Sequence, residues 1–115
     1  SDDNSPVEVS AQVEKLPAEA RMYSNDKFGG YLIYRFAGQR KVFFDGRSDY
    51  YGSAFMKDYL VIPEVKPGWE KQWNRWNFTH ALVPVDSALA DRLPLKGWRE
   101  IGKDKTAILF EKGPQ

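Results

Sequence analysis

The chain has 115 residues, 42% of them apolar and 29% charged, with a formal net charge of +1 and no cysteine. That length suits a single domain, which buries roughly two-thirds of its extended surface on folding and needs no disulfide or structural metal. The acidic and basic residues are interspersed without a basic stripe, which argues against a nucleic-acid partner, and the missing cysteines exclude a disulfide framework or a thiolate metal site.

No apolar run approaches the roughly 18 residues that span a bilayer, and no signal peptide pattern opens the chain. The polar run Ser1-Asp2-Asp3-Asn4-Ser5 reads as a linker end or the remnant of an excision. Residues 6–115 read as one α/β domain.

Pro6 opens a helical stretch whose apolar stripe is Val7, Val9, Val13 and Leu16, stopped before Pro17. Ala20 to Ser24 reads as a short strand, and Asn25-Asp26-Lys27 as a turn in which Asp26 can cap a following helix. That helix runs past Gly29-Gly30 through Tyr31, Leu32, Ile33, Tyr34 and Phe36 to Gly38. Strand is the rival reading for Tyr31 to Phe36, where aromatic and β-branched residues are dense. Lys41 to Asp45 is a second strand, ending at Gly46, and a helix is expected from about Ser53 to Ile62.

Beyond Pro63 and Pro67, Trp69, Trp73 and Trp76 recur at i, i+4 and i+7, one face of a helix. Ala81-Leu82-Val83-Pro84 is too apolar to face water on either side, as in a parallel sheet covered on both faces. Asp86-Ser87 can cap a short helix through Leu93. Trp98 to Ile101 and Thr106 to Glu111 form a hairpin around Gly102-Lys103-Asp104-Lys105. The order α-β-α-β-α-α-β-α-β-β predicts a small Rossmann-like three-layer sandwich with a mainly parallel sheet and a C-terminal β-hairpin.

In such a sheet, ligands gather at the carboxyl ends of the parallel strands. Those ends carry Asn25 and Asp26, then Asp45, Arg47 and Asp49, then Asp86. Converging acidic turns suit a divalent cation or the hydroxyls of a sugar. The same residue types also cap helices and brace βα turns. Arg47 beside Asp45 offers either an anion clamp or an internal ion pair across Gly46.

Phe28-Gly29-Gly30 lacks the G-x-G-x-x-G spacing, so no dinucleotide cofactor is expected. The Trp stripe is either core or a stacking platform for sugar rings. His80 has no nucleophile pattern beside it and reads as structural, and no hydrolase, P-loop, zincin or EF-hand spacing occurs. Asn77-Phe78-Thr79 matches the glycosylation triplet, a frequent chance match.

Phe28-Gly29-Gly30-Tyr31-Leu32-Ile33-Tyr34, Lys41 to Arg47 and Tyr50-Tyr51-Gly52 together resemble a recurrent bacterial pattern. Leu82-Val83-Pro84, Gly97-Trp98-Arg99 and Ala107 to Phe110 continue the likeness, which spans residues 16–112. The pattern is similar to the soluble C-terminal domain of multi-pass membrane proteins of the mannosyltransferase and oligosaccharyltransferase type, which act on lipid-linked sugars. The resemblance implies an extracytoplasmic setting and a partner in the membrane-embedded part of the same polypeptide. It carries over no catalytic residue and no cofactor, and it leaves carbohydrate or lipid-linked sugar as the ligand class. The alternative expectation is a small α/β enzyme, or a binder of metal or nucleotide-type ligands, using Asp26, Asp45 and Asp86.

Overall fold

The computed structural model describes residues 7–26, 31–36, 39–45 and 61–114. Their elements are α1 (Val7–Glu14), β1 (Met22–Asp26), β2 (Tyr31–Phe36), β3 (Gln39–Asp45), α2 (Trp69–Arg75), β4 (His80–Pro84), α3 (Ala88–Leu95), β5 (Arg99–Lys103) and β6 (Ala107–Glu111). The strands form one mixed sheet in the order β3-β2-β1-β4-β6-β5. The chain is thus mixed α/β, and the expected C-terminal hairpin is the antiparallel β5–β6 pair.

The mainly parallel, Rossmann-like sheet is not what forms. Only β1 and β4 pair in parallel, while β1–β2, β2–β3, β4–β6 and β5–β6 are antiparallel. The correction traces to one segment, because Tyr31–Phe36 is a strand and not a helix. A short apolar run has no period that separates the two states, and here its β-branched and aromatic content prevailed. Without a crossover helix between them, β1, β2 and β3 join as an antiparallel meander. The helix expected from Ser53 lies outside the described residues up to 60, and Val61 and Ile62 belong to a turn.

Period-two alternation divides the core between two faces. Tyr23, Ala81, Val83, Ile108 and Phe110 face the cluster built with Trp69, Trp73, Leu89, Leu93 and Trp98. Their neighbours Met22, Leu82 and Leu109 turn to the other side, against Val9, Val13 and Leu16. Helices therefore cover both faces, α2 and α3 on one and α1 on the other. β4 lies between β1 and β6, so its apolar run reports cover on both faces and not parallel neighbours on both edges.

Local chemistry sets the helix ends. Ser87 caps α3, its Oγ accepting the Ala90 N–H at 3.2 Å. Gly97, at φ +90°, ends it. There the Trp98 N–H reaches the Leu93 carbonyl and the Gly97 N–H reaches that of Pro94, both at 3.1 Å. This is the paired C-terminal bonding of a Schellman motif, with Leu93 and Trp98 as its buried apolar contact. Asn77, at φ 56°, takes the equivalent left-handed place after α2. The Arg21 guanidinium binds the Trp76 carbonyl through Nε at 3.0 Å and a terminal nitrogen at 2.8 Å, placing a cation at the negative end of α2.

Candidate functional site

The strand-end edge survives the change of topology. β3 runs antiparallel to β2, as β1 does, so β1 and β3 point the same way. Asp26 is in register with Tyr31, and Tyr31 with Asp45, which brings the two acidic residues to one edge on either side of β2. β4 runs with β1, and Asp86 follows its last residue by two positions, exposed at the same edge. Asn25 lies one step inward, paired with Leu32. Arg47 and Asp49 lie outside the described residues, as does Phe28-Gly29-Gly30.

At two of these positions the helix cap is not the residue's role. The next described element after Asp26 is the strand β2, so Asp26 does not cap the helix expected there. At the third turn, Ser87 and not Asp86 supplies the cap. Among the described residues, no group of three His, Asp or Glu side chains stands close enough to hold a metal ion.

The Trp stripe is core. Trp69 and Trp73 are 8% and 5% exposed, and Trp76 is half-buried. Trp73 packs at 5.0 Å from Tyr23 and 5.3 Å from Trp98, ring edge against ring face, which removes the stacking-platform reading.

His80 is buried at the start of β4. Its Nδ1 shares a 2.8 Å hydrogen bond with Thr79 Oγ1, and its Nε2 lies 4.0 Å from Glu111. The Thr79 hydroxyl is committed to the fold, accepting the Arg21 N–H at 2.9 Å. Glu111 is held by Arg99 at 3.0 Å. Burial pushes the imidazole below its ordinary range, against the smaller opposing pull of Glu111. A neutral ring and an occupied hydroxyl make this a structural knot joining β1, β4 and β6, as the sequence suggested for His80.

The residues alone did not disclose a groove of about 340 Å³ at the opposite edge of the sheet, where β4 begins and β6 ends. Trp69, Trp73, Phe78, Leu93 and Trp98 form its floor, while Asn74, Asn77, Lys96 and Lys112 stand around it. The Lys96 ammonium meets Glu70 at 2.9 Å across the rim. Gly113 completes one wall, and a Cβ there would overlap the Gly97 carbonyl oxygen. The contact between Gly97 and Gly113 is long-range and leaves no local signal in the sequence.

No family model matches the chain, and no curated protein or solved structure matches it.

Proposed function

We propose that this chain is a non-catalytic, extracytoplasmic accessory domain of a membrane glycosyltransferase-like protein, assisting the binding of an acceptor or sugar. Its partner in this reading is the membrane-embedded part of the same polypeptide. The sequence likeness over residues 16–112 supports the setting. The observation that carries the ligand is the shared edge of β1, β3 and β4, where Asp26, Asp45 and Asp86 gather across the sheet. Carboxylates accept hydrogen bonds from sugar hydroxyls, and Arg47, two positions after Asp45 in the sequence, carries a charge suited to a phosphate.

Amide shifts of the labelled chain, followed while a polyprenyl-phosphate sugar in micelles or the free sugar is added, test the reading. Perturbation centred on Asn25, Asp26, Asp45 and Asp86 is expected. Silence at all four sinks the ligand assignment. Shifts there with Mg²⁺ or Mn²⁺ but not with sugar assign the edge to the metal-binding alternative. A complete gene that encodes this domain without any membrane helix removes the accessory role.

A further inference from the structure

We propose that the groove between the ends of α2 and α3 binds a small, anionic, polyhydroxylated ligand of one-ring size, a sugar acid or sugar phosphate. It opens at the end of the sheet opposite the acidic edge, so the proposal stands without the reading above.

Size limits the ligand first. About 340 Å³ lies at the lower end of the roughly 300–1,000 Å³ typical of small-molecule sites. One ring with a substituent fits that space; a dinucleotide or an extended glycan does not.

Charge limits it next. Of the two ammonium groups at the groove, that of Lys96 is already neutralised by Glu70 at 2.9 Å. Lys112 is half-buried, and no carboxylate among the described residues lies within ion-pair distance of it. Among the described residues the site therefore carries one uncompensated positive charge, that of Lys112. Most of the surface that the groove exposes is polar, so an anion is held by this charge together with the neighbouring amides.

The remaining groups select hydroxyls. Asn74 and Asn77 use their backbones to end α2, and neither carboxamide is engaged among the described residues. Each presents two N–H donors and one acceptor oxygen, the complement of a hydroxyl that both donates and accepts. The buried Trp69, Trp73 and Trp98 close the floor beneath these groups, so the polar rim makes the contacts to the ligand.

The C-terminal turns of α2 and α3 frame the groove, with Asn77 at φ 56° and Gly97 at φ +90° reversing the chain there. The close backbone approach of Gly113 to Gly97 completes the frame.

The test follows tryptophan emission of the intact chain, titrated to about 10 mM with glucuronate, glucose 6-phosphate, glucose or inorganic phosphate at constant ionic strength. A saturable change is expected with glucuronate or glucose 6-phosphate, about tenfold tighter than with glucose or inorganic phosphate. The stronger of the first two tells carboxylate from phosphate. Lys112→Gln should weaken that ligand about tenfold, to the level of glucose, with an unchanged melting temperature. No saturable response to either anion, an equal response to inorganic phosphate, or an unchanged preference in Lys112→Gln would each overturn the proposal. Should the variant fail to fold, the wild-type amide shifts decide. They must centre on Gly97, Lys112 and Gly113, and a centre at Asp86 counts against the groove.

Discussion

On the face covered by α2 and α3, Trp73 meets Tyr23, Trp69 and Trp98 edge to face and Phe78 at a tilt, so that it contacts all four rings. On the α1 face, Val9, Val13, Met22 and Leu109 form a smaller aliphatic cluster, and polar contacts help hold the helix. Gln12 donates through Nε2 to the Ile101 carbonyl at 2.8 Å, reaching across from α1 to β5. Asp104 closes the hairpin turn, accepting the Thr106 and Ala107 N–H groups at 2.9 Å, beside the first turn of α1. The difference follows from the side chains each helix brings, since α1, α2 and α3 are of similar length at eight, seven and eight residues. An eight-residue helix such as α1 is unstable alone, and with only a few aliphatic contacts its position depends on groups that specify place more than they bury area.

The largest expected effect strikes the aromatic face. Trp73→Ala should cost about 3–5 kcal/mol in chemical denaturation, because a large ring is lost from a site that cannot collapse around the gap. A loss below about 1 kcal/mol would mean that the aromatic lattice is not the principal core. A smaller effect is expected on the other face. Burial works to raise the Asp104 carboxyl, yet the Thr106 and Ala107 amides, the Thr106 hydroxyl and the nearby Val9 amide hold it below the ordinary carboxylate range. Asp104→Ala should destabilise by about 1–3 kcal/mol, with Asp104→Asn recovering part of the loss. Amide exchange should then quicken in α1 before it does in α3. Equal quickening in both helices would show that the faces are not separately supported.

The smallest effect is pH-dependent and belongs to the seam between β4 and β6. His80 is buried with its pKa lowered, so the unfolded chain binds a proton more readily than the folded one. Stability is then complete above the ordinary histidine range and declines as pH falls below about 6.5, towards the folded pKa. His80→Gln should flatten the stability profile in that window. If the wild-type profile is already flat there, Glu111 compensates the cost of burial, even though Arg99 shares it at 3.0 Å.

Much of this architecture was legible because it depends on local rules. The Trp69-Trp73-Trp76 spacing placed three rings on one helical face, Asp86-Ser87 marked the start of α3, and the turn around Gly102-Lys103-Asp104-Lys105 marked a hairpin. The acidic edge was legible for a related reason. Asp26, Asp45 and Asp86 lie at or just beyond the carboxyl ends of β1, β3 and β4, and those strands run the same way whether helices or β2 intervene.

What the sequence determined by itself was therefore the approximate position of most elements and the burial of α2 and β4. These follow from periodicity, capping and turn chemistry within a few residues. Only the tertiary structure decided that Tyr31–Phe36 is a strand, and with it the antiparallel meander and the sheet order. A six-residue apolar run is stabilised by the neighbours that pair with it, and those lie on β1 and β3. The groove likewise exists only after folding. It joins Asn74 and Asn77 to Lys112 and Gly113 through a backbone approach between Gly97 and Gly113, and no spacing within the chain encodes that contact.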